Sequence, residues 1–322
     1  MVKEDDLNKV NVKDRVPLVS ILLAVYNPKY SWFKEQLISL NNQSYNNLEL
    51  IIYDDCPENP LNEEFAKKYI NNFSYKIIKG KENIGSNRAF EELTKVAMGD
   101  FFAYCDQDDV WEVNKIEILV DTIKKENSVL AYSDMSVIDA QGKVIAKTLI
   151  EEKSRISYIY GENLFSTFFF KNCVSGCCML VNNDVAKIAV PFSKVTVHDQ
   201  WICMIATFYG KISFVNNTLV KYRMHGENQT GSLKGVYSKK DYYNRRITIL
   251  EERIKEVKQA IKISELDEIL KDIENFCDGR KNKKVLKIFK YRYLNKAEAY
   301  FEILIKYMPN WMVKLMINKL KH

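Results

Sequence analysis

Phe101-Phe102-Ala103-Tyr104-Cys105-Asp106-Gln107-Asp108-Asp109-Val110-Trp111 is an apolar run that breaks into three carboxylates within four residues. The apolar half reads as a buried strand, and like charges this close repel one another unless a cation sits among them. Asp106 and Asp108, one residue apart at the C-terminal end of a strand, can grip a divalent metal through hard oxygen ligands, and Mg²⁺ or Mn²⁺ so held usually carries substrate phosphates as its remaining ligands. A solvated turn whose acids cap the following helix fits the same letters. Asp109 reads as a residue of that helix N-terminus rather than as a ligand.

Working outward, Leu18 to Val25 is continuously apolar apart from Ser20, the signature of a parallel strand covered on both faces. Tyr26-Asn27-Pro28 ends it. A helical pattern through Trp32, Phe33, Leu37, Ile38 and Leu40 follows, and a second strand, Leu48 to Tyr53, stops at Asp54-Asp55. A short helix at Glu63 to Ile70, a third strand at Tyr75 to Ile78 and a turn at Asn83-Ile84-Gly85-Ser86-Asn87-Arg88 lead to a helix over Ala89 to Met98. Strand and helix alternate as in an α/β fold with a mostly parallel sheet, whose strand ends gather their polar loops at one edge. Asn27, Asp54, Asp55, Asn83, Arg88, Asp106 and Asp108 are thereby expected at one site. Beyond it come a helix over Lys115 to Lys125, a strand at Val129 to Ser133 and a hairpin turning at Asp139-Ala140-Gln141-Gly142. Cys177 to Val181 reads as a strand and Asn183 to Val190 as a helix; a further helix, Ile202 to Tyr209, opens after His198-Asp199-Gln200-Trp201. Two short strands, Ile212 to Val215 and Thr218 to Tyr222, precede Arg223-Met224-His225-Gly226-Glu227-Asn228.

The 322 residues suffice for one large α/β domain with an appendage, and 47% apolar with 28% charged residues is the composition of a folded soluble chain. No apolar run reaches the roughly 18 residues of a membrane-spanning helix. The polar segment Met1 to Val16 lacks the apolar core of a signal peptide, so a cytoplasmic location is expected. Seven scattered cysteines, an odd number, suit buried reduced thiols better than a disulfide framework. The net charge of +6 is unevenly placed, because residues 280–322 hold 12 Lys/Arg against 2 Asp/Glu.

Six segments in order resemble the family-2 glycosyltransferases, inverting nucleotide-sugar enzymes of GT-A fold, over roughly residues 16 to 231. They are Val19-Ser-Ile-Leu-Leu-Ala-Val-Tyr-Asn27, Ile51-Ile-Tyr-Asp-Asp55, Asn83-Ile84-Gly85, Asp106-Gln-Asp-Asp-Val-Trp111, His198-Asp199-Gln200-Trp201 and Tyr222-Arg-Met-His-Gly-Glu-Asn228. Within the family the chain looks most like the bacterial rhamnosyltransferase-like members that build cell-surface polysaccharides. The departures are Cys56-Pro57-Glu58-Asn59, where relatives have Gly-Ser after the Asp pair, and Gln200, where they often carry an aromatic residue. The resemblance implies a Rossmann-like sheet flanked by helices, with a dTDP- or UDP-sugar donor at Val25, Tyr26, Asn27, Asp54, Asp55, Asn83, Gly85, Arg88, Asp106 and Gln107. It assigns Asp54 to the base, whose imide N–H a carboxylate can accept. Asp108 would bind Mg²⁺ or Mn²⁺ with His225, and Asp106 the ribose, or the metal through water. Asp199 would be the general base, which an inverting displacement needs on the face opposite the leaving nucleotide; a helix N-cap is its plainer role. Gly176, His198 and Trp201 fall on the acceptor side, and Arg223 and Asn228 would meet phosphate, although Arg223 can equally pair with an acid and Arg88 can be a surface helix residue.

From 232 onward the chain reads as a helical, basic extension appended to a catalytic domain of residues 1–231. Ile247, Leu250, Ile254, Val257 and Ile261 form a seam that suits packing on the domain or a homodimer. The basic end with Trp311 suits an anionic membrane surface at the inner face, where a lipid-linked acceptor would sit. No recognised nucleic-acid-binding motif accompanies the charge, so nucleic acid is not expected as a partner.

Overall fold

The computed structural model describes residues 15–153, 156–226, 236–261 and 264–321. In chain order the first half runs β1 (Val19–Val25), α1 (Tyr30–Asn41), β2 (Leu48–Asp54), α2 (Glu63–Tyr69), β3 (Ser74–Lys79), α3 (Ser86–Val96), β4 (Phe101–Cys105), β5 (Val110–Trp111), α4 (Lys115–Glu126), β6 (Ser128–Ile138) and β7 (Val144–Ala146). Then come α5 (Leu149–Glu152), α6 (Phe165–Phe170), β8 (Met179–Asn182), α7 (Asn183–Ile188), α8 (His198–Ala206) and β9 (Lys211–Arg223). The C-terminal part holds α9 (Lys239–Tyr242), α10 (Ile249–Ala260), α11 (Ser264–Lys281), α12 (Val285–Lys290), α13 (Lys296–Tyr307) and α14 (Asn310–Lys321).

One sheet joins the strands in the order β3-β2-β1-β4-β8-β6-β9-β5, with β7 added to β6. The first four are parallel and in register, Val19 opposite both Leu48 and Phe101. Val19, Ile21, Leu22 and Leu23 are buried, so side chains pointing to both faces of β1 are covered, as the apolar run requires. The second half departs from the parallel expectation: β8 lies antiparallel between β4 and β6. The two strands expected at Ile212 to Val215 and Thr218 to Tyr222 are one, β9. Its ladder with β6 passes from Val215 opposite Ser133 to Thr218 opposite Asp134, so exposed Asn216 and Asn217 form a bulge rather than a break. The hairpin turn at 139–142 is present, with Gly142 at φ +84.

Two apolar cores lie on the two faces of the sheet. One packs α1 and α4 against it through Phe33, Leu37, Ile116 and Leu119. The other joins α3, α6 and α8 to the C-terminal helices: Leu250, Ile254, Val257 and Ile261 sit in the same cluster as Phe168, Phe169 and Ile202. The seam that suited a homodimer is therefore buried within its own chain. The boundary expected at residue 231 lies outside the described residues.

Candidate active site

The ends of β1, β2 and β4 are tied together by polar side chains. The Gln107 side-chain amide bridges both main-chain groups of Tyr26: Oε1 accepts the Tyr26 N–H at 2.8 Å, and Nε2 donates to its carbonyl at 3.1 Å. Val25 is buried and accepts from the Asp55 N–H at 2.8 Å, while Asn27 takes φ +41 and receives an Asn59 amide bond at 2.9 Å. Asp54 and Asp55 are both buried. Asp54 accepts the N–H groups of Cys56 (3.2 Å) and Leu61 (2.6 Å), and Asp55 those of Ile84 and Gly85 (2.8 Å each). Asp55 thus fixes the β3–α3 turn to the end of β2, and Gly85, at φ +79, is the residue that lets the turn enter α3. Exposed Asn83 accepts from Gly85 at 3.1 Å. Arg88 does not face this edge alone. It is ion-paired with Glu91, whose carboxylate also meets Lys95 at 2.7 Å and the Phe192 N–H at 2.8 Å.

Beyond β4 the acidic cluster divides into distinct environments. Asp108 Oδ2 lies 2.7 Å from His225 Nε2, so the two residues proposed as metal ligands are in contact across 117 positions of sequence. Ligand atoms in an octahedral shell at 2.0–2.1 Å stand about 3 Å apart, so this carboxylate–imidazole pair offers two donors at ligand spacing, whereas Asp106 converges with Asp109 and Cys177. The pair is held from behind. The Trp32 ring packs tilted against His225, 4.9 Å between ring centres, and its indole N–H donates to the Ala140 carbonyl at 2.9 Å. Arg223, 1% exposed, donates to the Asp108 carbonyl (2.8 Å), the Asp139 carbonyl (3.3 Å) and Glu35 (2.5 Å). Its guanidinium is a clasp on the Asp108 turn; the acid-pairing reading holds, with Glu35 as the acid.

Asp109 is a correction. It is fully buried and far from any helix start, α4 beginning at Lys115, and it accepts the Arg223 N–H at 3.0 Å. Burial, then Asp108 and Asp106, push its carboxyl well above the usual range. Asp106, Asp109 and Cys177 bring ligand atoms within 4.8 Å of one another. The Cys177 thiol is pushed well up by its neighbour Cys178 and by burial, which favours its protonated form and makes it a poor ligand for a hard divalent cation. Lys115 supplies the buried positive charge here. Its Nζ donates to the Cys177 carbonyl at 2.7 Å and sits 2.9 Å from the centre of the Trp111 ring, and burial drives its pKa down to about 8. All seven cysteines are free and buried.

Asp199 occupies the first turn of α8, across from this cluster. Burial raises its pKa to about 6, against the opposing pull of hydrogen bonds from the Gln200 and Gly176 N–H groups and from Asn172, whose amide donates at 2.9 Å. Asn172 is itself locked to both main-chain groups of Val174. Asp106 feels Asp199 directly: its own carboxyl is raised by burial, by Asp108 and by Asp199, with Lys115 opposing. The two halves of the predicted site therefore face one another.

Three acceptor-side expectations change. Trp201 is 1% exposed and donates its indole N–H to Ala189 at 2.7 Å, so it anchors α8 in the core and meets no acceptor. Gly176 makes room for a ring rather than for a sugar: a Cβ there would stand 2.5 Å from His198 Nε2. His198 is wedged by Phe90 (4.3 Å between ring centres), Tyr104 (5.4 Å) and Phe192 (6.5 Å), and burial lowers its pKa to about 3, keeping it neutral. Asn228 lies outside the described residues. Glu35, Trp32, Asn172 and Lys115 were not singled out by sequence reasoning, because each acts through a contact distant in the chain and none stands in a motif.

Residues 20–188, a little over half of the chain, match the model of glycosyl transferase family 2, and the chain belongs to that family. Among curated proteins it is 27% identical over 215 residues to an uncharacterized glycosyltransferase, MJ1057, of Methanocaldococcus jannaschii, covering 65% of this chain and 71% of that one. It is also 27% identical over 213 residues to the Escherichia coli UDP-Glc:alpha-D-GlcNAc-diphosphoundecaprenol beta-1,3-glucosyltransferase WfgD, covering 64% of this chain and 77% of the other. The putative teichuronic acid biosynthesis glycosyltransferase TuaG of Bacillus subtilis matches at 24% identity over 70% of this chain and 86% of its own. Among solved structures, S. aureus TarS 1-349 in complex with UDP-GlcNAc superimposes with a TM-score of 0.56 at 19% identity, over 84% of this chain and 76% of that one. The fold is thus the GT-A type, with helices appended at the C-terminus.

Proposed function

We propose that this family-2 enzyme is an inverting, divalent-metal-dependent glycosyltransferase that moves a sugar from a uracil or thymine nucleotide onto a hydroxyl of a lipid-linked glycan. The observation that carries the reading is the proximity of two carboxylate groups: Asp108 is in contact with His225, and Asp199 lies close enough to Asp106 to disfavour the charge on Asp106. Mg²⁺ or Mn²⁺ held by Asp108, His225 and Asp106 would supply the positive charge that a departing diphosphate requires. Asp199 takes the proton from the acceptor hydroxyl as that oxygen bonds to the sugar's anomeric carbon and the bond to the nucleotide diphosphate breaks. Asn172 and the Gln200 N–H keep the Asp199 carboxylate aimed, and a pKa near 6 leaves it ionised yet basic at neutral pH.

The nucleotide lies along Tyr26, Asn27 and Gln107, with its base near Asp54, Asp55 and Asn83. Both carboxylates of the Asp pair already accept main-chain N–H groups; each oxygen keeps a lone pair for the imide of the base. Motif resemblance favours dTDP-L-rhamnose as donor. The second reading, a UDP-hexose, is favoured by the donors named for WfgD and in the TarS complex. A lipid-linked acceptor is supported by the name of WfgD and polysaccharide synthesis by that of TuaG, and with such an acceptor the work would fall at the inner membrane face. Among the described residues no helix is long and apolar enough to cross a membrane, so contact with the bilayer would be peripheral.

Nucleotide release from a panel of UDP-, dTDP-, GDP- and CMP-sugars, with Mn²⁺ and then with EDTA, tests the reading. Release from UDP- or dTDP-sugars, abolished by EDTA and restored by Mn²⁺, is expected. Full turnover in EDTA would remove the metal, and release from UDP-hexoses without release from dTDP-rhamnose would remove the rhamnosyl assignment.

A further inference from the structure

The C-terminal helices carry a feature that the transfer chemistry leaves unused. A cleft of about 640 Å³ opens between α9, the helical turn after it, the end of α11 and the start of α14. Lys239, Lys240, Lys281, Lys283 and Lys314 line it, with Trp311 on one wall, and neither Asp nor Glu is among its lining residues. Only Lys281 is neutralised, by Glu251 at 2.6 Å; among the described residues the other four have no carboxylate within ion-pair distance. Lys239 donates to the carbonyls of Lys306 and Met308, and the Lys283 ammonium lies 4.5 Å over the Tyr243 ring, so two of the charges are held in place around the opening. Like charges gathered without a counter-ion complement an anion that offers several oxygen acceptors.

The cleft's surroundings decide among anions. Trp311 is 63% exposed and Leu315, one turn along the same face of α14, is 61% exposed. On α13 Leu304 and Tyr307, three residues apart, are likewise exposed. A soluble phosphate has no use for an uncovered Trp and Leu beside it, whereas a bilayer surface covers both and presents phosphates at the same level. We propose that this cleft is a headgroup site for an anionic phospholipid, the lysines binding its phosphate while Trp311 and Leu315 enter the interface. The proposal deepens the membrane-face part of the function above and does not depend on the chemistry at Asp199.

The test is co-sedimentation of the full chain with vesicles of phosphatidylcholine alone and of phosphatidylcholine mixed with phosphatidylglycerol, using wild type, Lys240→Gln/Lys283→Gln/Lys314→Gln and Trp311→Ala/Leu315→Ala. At about fivefold per lysine, the triple variant should bind the anionic vesicles on the order of 100-fold more weakly. Its unfolding midpoint and nucleotide release should be unchanged, since these exposed lysines hold neither the core nor the active site. The Trp311/Leu315 variant should also bind less. Equal binding of wild type and triple variant to the anionic vesicles would overturn the site. Inorganic pyrophosphate provides the other arm: stabilisation of wild type but not of the triple variant by pyrophosphate, without vesicle binding, would show a soluble-anion site and overturn the lipid assignment. Vesicle binding needs neither donor nor acceptor, so failure here and failure of the nucleotide-sugar panel are read separately.

Discussion

Gly176→Ala is a one-methyl perturbation whose effect can be worked from the packing around His198. The added Cβ would stand 2.5 Å from His198 Nε2 and 3.2 Å from Cε1, whereas ordinary contact begins at 3.4 Å, so the ring must retreat by about 0.9 Å. Phe90, Tyr104 and Phe192 crowd the ring, which is only partly exposed. The strain passes to the first turn of α8, where the next residue is Asp199. Overpacking of this kind costs about 1–3 kcal/mol. A catalytic group displaced by about 1 Å loses on the order of 100-fold in rate. Urea unfolding should therefore show a lowered midpoint with unchanged slope, and single-turnover transfer should slow far more than donor binding weakens. Gly176→Ala/His198→Ala supplies the control: removing the ring makes space for the methyl, so the double variant should be more stable than the sum of the two single effects predicts. Unaltered midpoint and rate in Gly176→Ala, or strict additivity in the double variant, would refute the view that this glycine exists for the His198 ring.

Other consequences follow from the same contacts. His198 has its pKa lowered to about 3 from an ordinary 6.5, so its contribution to stability is complete above pH 6.5 and is lost as pH falls, by about 1.4 kcal/mol per pH unit at most. His198→Phe should consequently resist acid unfolding better than wild type when midpoints are compared at pH 7 and pH 4.5. Asp199 must be ionised to act, so the rate of the chemical step should rise with pH and level off above about 6. Asn172→Ala removes a donor that favours the ionised form, and that acidic limb should move to higher pH while donor affinity is kept; a limb that stays in place removes Asn172 as the positioning group. Arg223→Lys loses the fork joining the Asp108 carbonyl to Glu35 and Asp139, which should destabilise the fold by about 2–3 kcal/mol in denaturant titration and weaken Mn²⁺ binding; retention of both would argue against the clasp.

What could be read from letters alone was set by local pattern. Apolar runs at 19–25, interrupted only by Ser20, and at 50–53 and 101–105 mark strands covered on both faces, and the polar residues that end them fall together because parallel strands share an edge. Partners distant in sequence leave no such trace. Nothing in Ser175-Gly176-Cys177 indicates that a histidine 22 residues on will fill the space over the glycine, and Trp201, polar at one atom, gives no sign that a carbonyl inside the core awaits its N–H. Asp109 was misread as a cap because carboxylates in a loop before a helix usually are caps; burial under β9 and the bond from the Arg223 N–H decide otherwise. The antiparallel insertion of β8 and the joining of β9 across Asn216 and Asn217 likewise depend on which strand lies beside which. The seam from Ile247 to Ile261 shows the converse limit, since an amphipathic stripe states that it must be covered without stating by what.

The central claim is that Asp199 removes the acceptor proton while the Asp106–Asp108–His225 side holds the departing nucleotide. Turnover of Asp199→Asn with Mn²⁺, a nucleotide sugar accepted by the wild type and its acceptor, set beside calorimetric donor affinity of the same variant, tests it most directly. The account predicts a fall of about a thousandfold in transfer with donor affinity unchanged; transfer at the wild-type rate would contradict it.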